Sequence, residues 1–251
     1  MSCYALTYPQ LMNQAISAEL ADAEVARLSQ GHEFARVLSD GVYRAPGVPL
    51  LTHLTRTASI LLSVQQPLTI VLGGLLHATY IMHLFDGSAR QQPRSAHRKR
   101  IRDTFGEELD TLIWEYDRVP WYSTENVRQH VTAFDELPAL WRQALTIRLA
   151  NDLEDSLDRA LDYSSATRRG RRTDEYVSLS VVLAEKLNVP GIARELAESI
   201  ADREEAALPD AVVADRDSAY EMPVKRLWQA STLERAAVSV YRRLKRSKTR
   251  S

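Results

Sequence analysis

The 251-residue chain has a single cysteine, Cys3, which excludes an intramolecular disulfide framework and fits a reducing compartment. Glycine and proline are sparse, nine and ten residues, and no segment alternates apolar and polar residues well enough to be read as a strand. Charge of one sign does not dominate: 32 Lys and Arg face 33 Asp and Glu, so the net charge of −1 gives no global pull toward nucleic acid. No apolar run reaches the roughly 20 residues of a spanning helix. The longest, from Leu68 to Met82, contains His77 and two glycines and reads as a buried core helix. The first residues lack a basic flank followed by an apolar core, so no secretory signal is read and the cytoplasm is expected. Glycine-rich nucleotide loops, a His-Glu-x-x-His helix and a Gly-x-Ser-x-Gly elbow are all missing, which removes the nucleotide-loop, zinc-protease and hydrolase-elbow readings.

What is present is helical spacing. Pro9 suits a first helical turn, and Leu11, Ala15, Leu20 and Ala23 to Val25 follow before "SQGH", which reads as a break ahead of a short helix from Glu33 to Leu38. Leu50, Leu54, Thr57, Leu61 and Val64 recur every three or four positions, with His53 on the same inward stripe. A helix from Pro67 to about Phe85 is apolar on all faces, as a central helix packed on several sides must be. Gly73 and Gly74 cost that helix about 1 kcal/mol each relative to alanine, which points to close approach of another backbone or of a ligand. Phe105-Gly106 punctuates the next two helical pieces. A long helix then runs through "LPALWRQALTIRLANDLEDSLDRALDYSSA", followed by helices near Tyr176 to Leu187, Pro190 to Ala206 and Leu227 to Leu244. The fold expected is all-α.

Chemistry concentrates where polar residues interrupt apolar stripes. His53 and His77 lie on inward faces, and the stripe Leu140, Ala144, Ile147 leads directly into Asn151, Glu154 and Asp155. A buried imidazole, amide or carboxylate needs a partner, a metal or a reaction. The cluster Arg90, Arg94, His97, Arg98, Lys99, Arg100 and Arg102 is either a solvated face or the mouth of a site for an anion. The tail "YRRLKRSKTRS" has six basic residues in its last ten and reads as a frayed helix end; aromatic interleaving of the kind that reads bases is absent, so nucleic acid is not the partner expected.

Arg44 ahead of "PGVPLLTHLTRTASIL", then "GLLHATY", "IRDTFGEELDTLI" and "IRLANDLED", taken in that order and spacing, resemble the HD superfamily of metal-dependent phosphohydrolases, nearest the hydrolase domain of RelA/SpoT-type alarmone enzymes. The resemblance covers about Arg44 to Asp155. It implies an HD-like helical core from about Val42 to Asp162, placed in a domain spanning residues 1–165 with two N-terminal helices, and a C-terminal helical extension over 166–251 packed on it. It also implies a divalent ion held by a histidine, a His-Asp doublet and a distant aspartate. Here His53 and His77 stand at the histidine positions, but the doublet aspartate is Ala78, the distant aspartate is Asn151, and a following acidic pair is Ile81 and Met82.

Loss of two anionic ligands argues against stoichiometric magnesium or manganese, which need such oxygens. Glu154 or Asp155, three and four residues beyond Asn151, could replace a lost ligand or act as general base, and His83 lies near His77 in sequence; two or three histidines with one carboxylate would suit zinc or iron better. A similar replacement pattern, "LLHA-x-Y" with "LAN-x-x-E", occurs in a divergent bacterial group of HD-like proteins of unassigned chemistry, and it points to His77, Tyr80, Asn151 and Glu154 as a reshaped polar pocket. The expected function is hydrolysis of a small anionic or phosphorylated molecule, with His53 and His77 as metal ligands if a metal is retained, and Arg44 and Asn151 contacting substrate. The alternatives are a metal-independent lyase, isomerase or cyclase in which His77 works with Tyr80 or Glu154, and a pseudoenzyme that binds a nucleotide or partner without turnover.

Overall fold

A computed structural model describes residues 3–44, 48–81, 95–157 and 173–205. Among these the only extended pairing is the isolated bridge Tyr43 to Pro49; everything else ordered is helix, joined by short turns. The fold is all-α, as the spacing predicts.

Helix α1 (Tyr8–Ser17) begins after Thr7, whose backbone N–H and hydroxyl both donate to the Gln10 side-chain oxygen, with Pro9 in the first turn. It ends where Glu19 takes a left-handed φ of 57°, and α2 (Asp22–Leu38) then runs unbroken through Ser29 to His32. The expected break at "SQGH" is therefore displaced to Ala18–Ala21. Tertiary contact overrides propensity there: Gly31 lies against Leu72, where a Cβ would collide with the leucine methyl.

α3 (Leu50–Ser63) is buried over almost its whole inner length, from His53 through Leu62. α4 (Leu68–Leu76) packs on α2, α3, α7 and α9, so it is the central helix that its all-round apolarity implies. Its glycines are needed for contact: a Cβ on Gly74 would meet the Ala58 backbone of α3 at 3.3 Å, and one on Gly73 would meet Ile147 and Leu112. The helix does not run on to Phe85 without interruption. Its ladder breaks at His77, and a short α5 (Ala78–Ile81) follows; the physical reason is given with the site.

α6 (Ser95–Phe105) is separated from α7 (Glu107–Arg118) by Gly106 at φ 91°, a conformation that requires glycine. α8 (Thr124–Thr132), which helical spacing alone did not reveal, starts at Ser123, whose hydroxyl accepts the Asn126 N–H. α9 (Ala139–Ser156) has an uninterrupted buried run from Ala144 to Ala150. It ends at Ser156, with Leu157 extended at ψ 149°, and the remainder of the expected helix, to Ala166, lies outside the described residues. α10 (Asp174–Lys186) and α11 (Pro190–Glu205) pair with each other and rest on α8 and α9. Two buried hydrogen bonds fix them: Tyr176 donates to Asp152, and Tyr4, at the other end of the chain, donates to Glu195. The helix expected near Leu227 to Leu244, His83 and Arg90 and Arg94 of the basic cluster lie outside the described residues. No helix among the described residues is long and apolar enough to cross a membrane.

Candidate functional site

Three elements and the loop before α3 meet around His53. The imidazole is carried on the buried stripe of α3 and is 2% exposed; His77, at the end of α4, is 3% exposed. Their Nε2 atoms face each other at 3.2 Å, with the rings nearly perpendicular. Each ring is anchored at its other nitrogen. His77 Nδ1 has one acceptor, the Gly74 carbonyl at 2.8 Å, so Nδ1 carries the hydrogen and donates it. That carbonyl is the one an unbroken helix would offer to residue 78, so the side chain intrudes on the ladder where α4 stops. His53 Nδ1 meets Glu154 Oε2 in a very close contact.

The hydrogen-bond pattern constrains the protons. Burial, then the neighbouring His53, hold the His77 imidazole well below its ordinary pKa, so it is neutral with a bare Nε2 lone pair. A hydrogen must lie between the two Nε2 atoms, and His53 supplies it. The contact of His53 Nδ1 with a carboxylate oxygen requires one more proton, shared between ring and carboxylate. One edge thus presents a base, His77 Nε2, beside an acid, His53 Nε2–H.

Behind His53 lies a cationic clamp. The Nη1 of Arg44 is 2.8 Å from His53 Nδ1 and 3.1 Å from Glu154 Oε2, and it donates closely to Asp155 Oδ1. Burial opposes the charge of Arg44, but Asp155 and Glu154 outweigh it and hold the guanidinium above its usual range. Arg56, one turn beyond His53, adds a 3.9 Å approach to the other Glu154 oxygen. The sequence residues Arg44, His53, His77, Glu154 and Asp155 are therefore brought together.

Two others are not part of this network. Tyr80 points away and donates to Asp110, a carboxylate with no exposed surface that also takes Arg98 in a bidentate pair and Arg102 at 3.0 Å. Burial, followed by Asp110, raises the Tyr80 phenol far above neutrality, so it is a core donor to a carboxylate. This corrects its placement as proton partner of His77. Asn151 is half-buried on α9 and makes no hydrogen bond among the described residues. The basic cluster is likewise divided among structural tasks: Arg98 and Arg102 neutralise Asp110, Arg98 also covers Trp114, Arg100 lies over Phe34, and Lys99 pairs with Asp103. Those residues are engaged with Asp110, Trp114, Phe34 and Asp103 and do not form the open mouth for an anion that their spacing suggested.

Two residues escaped the sequence reading. Tyr116 of α7 lies against the His77 ring at 5.0 Å, and Arg148 of α9 sits 3.7 Å above the Tyr116 ring. Neither has a sequence signature beyond membership of a helical stripe, although Arg148 interrupts the apolar run from Ala144 to Ala150.

Two positions suit a cation. The ligand atoms of His53, Glu154 and Asp155 lie within 4.8 Å of one another, but Arg44 Nη1 already donates to the two carboxylates and lies against His53 Nδ1. The facing Nε2 edge is the other. An ion bound tetrahedrally at zinc–nitrogen distances places neighbouring ligands about 3.4 Å apart, close to the 3.2 Å found. A carboxylate behind one imidazole and a carbonyl behind the other is the usual outer support of ligating histidines. Ala78 contributes only a methyl, so the edge offers an ion two imidazole nitrogens and none of the oxygens on which magnesium and manganese depend.

Against known proteins, residues 38–121 match a domain family of unknown function, DUF6817, across one third of the chain. No curated protein matches the sequence. The matched segment contains Arg44, His53 and His77 and ends before Glu154.

Proposed function

We propose that the chain is a divergent HD-superfamily enzyme that hydrolyses a small anionic or phosphorylated molecule at the edge formed by His53 and His77. The observation carrying this reading is the convergence of two Nε2 atoms at 3.2 Å, each ring fixed from behind by Glu154 or Gly74. Such anchoring fixes the orientation of both rings before a substrate arrives. His77 takes a proton from an attacking water, and the hydrogen on His53 Nε2 is delivered to the leaving oxygen, with Glu154 balancing charge on His53. A zinc-type ion held by His53 and His77 would take up both Nε2 lone pairs, and would then supply Lewis acidity and a more acidic water in place of that acid–base pair.

The test is turnover of a panel of phosphate esters by protein purified without chelator, with metal content measured alongside. The expected result is activity that His53→Ala and His77→Ala each reduce at least about 100-fold, the usual worth of a positioned acid or base, with no stoichiometric magnesium or manganese. Ala78→Asp with Asn151→Asp restores two anionic groups at positions that the family resemblance gives to metal ligands, and should raise manganese affinity. Native protein holding a full equivalent of manganese, or turnover indifferent to both histidines, overturns the reading.

One observation favours a second reading. Arg44 already neutralises Glu154 and Asp155, and the Glu154–His53–His77 chain orders its own protons, which suffices for metal-independent elimination or isomerisation. Turnover that survives exhaustive chelation but requires His77 distinguishes it.

A further inference from the structure

We propose that Arg148 anchors an oxyanion of phosphate type beside His77, with the Tyr122 hydroxyl as the group the anion displaces. Arg148 is 1% exposed in the middle of α9. Its Nη1 donates to the Tyr122 hydroxyl at 2.8 Å and its Nη2 to the Tyr116 carbonyl at 2.6 Å, while the buried Nε–H has no acceptor. Among the described residues no carboxylate forms an ion pair with it. Asp152, four residues along the same helix, turns its Oδ2 to the Trp121 indole and the Tyr176 hydroxyl.

The contrast with Arg44 is informative. Both are interior guanidinium groups, but Arg44 is paired directly with two carboxylates, whereas Arg148 is met by neutral oxygens and by the faces of Tyr116 and Tyr122, with Asp152 acting on it only through space. A buried guanidinium without a direct ion pair is unusual. An anion from outside, accepting from Nη1 in place of the Tyr122 hydroxyl, supplies that pair.

Access and position agree. Tyr122 lies in the turn between α7 and α8 and is 52% exposed, so rotation of its side chain frees Nη1 on a fast timescale. Tyr116 touches the His77 ring and the Arg148 guanidinium together, so the anchored anion lies about one aromatic ring away from His77. The charge of Arg148 is also felt at His77, where it lowers proton affinity. Asn151, one turn further along α9 and without a hydrogen bond among the described residues, adds a neutral donor on the same helix.

This inference rests on the proposed site but not on its reaction. The test is titration of the full chain with inorganic phosphate, followed by calorimetry, for wild type, Arg148→Lys, Tyr122→Phe and His77→Ala. Tyr122→Phe removes the competing hydroxyl at an exposed position and should tighten phosphate binding several-fold; Arg148→Lys should weaken it at least ten-fold; His77→Ala should retain it. Absence of phosphate binding to wild type, or an affinity that neither Arg148→Lys nor Tyr122→Phe changes, overturns the proposal and leaves Nε to a trapped water. Should Arg148→Lys fail to fold, Tyr122→Phe decides. Phosphate binding without turnover of any ester rejects the hydrolase reading and keeps Arg148 as anchor. Turnover with phosphate affinity indifferent to both residues does the reverse.

Discussion

One nitrogen of Arg44 donates to Glu154 and Asp155 and lies against His53, so removing its charge leaves two mostly buried carboxylates facing each other across an imidazole. Breaking a buried ion pair from one side costs about 3–5 kcal/mol. Arg44→Gln should therefore lower the thermal midpoint clearly, and zinc should return part of the loss, because the three ligand atoms within 4.8 Å would then lack their cation. A midpoint in Arg44→Gln that zinc leaves unchanged would show that these groups cannot converge on an ion. Tyr80→Phe separates a core role from a chemical one. It should cost about 1–3 kcal/mol for the donor lost to Asp110, and leave any turnover intact; a large loss of turnover at unchanged stability would return Tyr80 to the site.

Among elements, α6 is held to α7 chiefly through charge. Arg98 and Arg102 converge from α6 on Asp110 of α7, which has no exposed surface and also receives Tyr80 from α5. Asp110→Asn removes the charge that two arginines and a phenol all need, and should destabilise by about 3–5 kcal/mol. A change under about 0.5 kcal/mol in urea denaturation would mean the arginines are already satisfied by solvent. This junction explains how much of the fold was legible. Periodicity located α3, α4, α7, α9, α10 and α11, because burial of one stripe is written in the spacing of Leu, Ile and Val. It misplaced the break between α1 and α2, since Gly31 reads locally as a breaker but is required by Leu72 of another helix. It left α8 unread, where the signal is the Ser123 cap. The convergence of Arg44, His53, His77, Glu154 and Asp155 was legible as polar residues set among apolar helical stripes. Tyr80 was misassigned because its partner, Asp110, is 30 residues away and carries no local mark.

For the molecule as a whole, buried histidines set a response to acid. Burial lowers the pKa of His32, which contacts Thr55, and that of His77, both below the ordinary 6.5. The unfolded chain therefore takes up protons first as pH falls. Stability from these groups is complete above pH 6.5 and declines below it, through the lower values of the folded state. The urea midpoint should fall as pH drops from about 7 toward 5, and His32→Gln should flatten part of that slope. A midpoint that rises with acid over this range would contradict the assignment.

The His53 to Glu154 contact joins residues 101 positions apart. During synthesis, Arg44, His53 and His77 would leave the ribosome long before the two carboxylates that neutralise and orient them. The nascent chain thus carries half of the polar network, which closes only when α9 docks. For the same reason a fragment cut at the edges of the matched segment, 38–121, would keep both histidines yet lack the carboxylates that meet Arg44 and His53. The folding unit and the polar network both reach at least to Asp155.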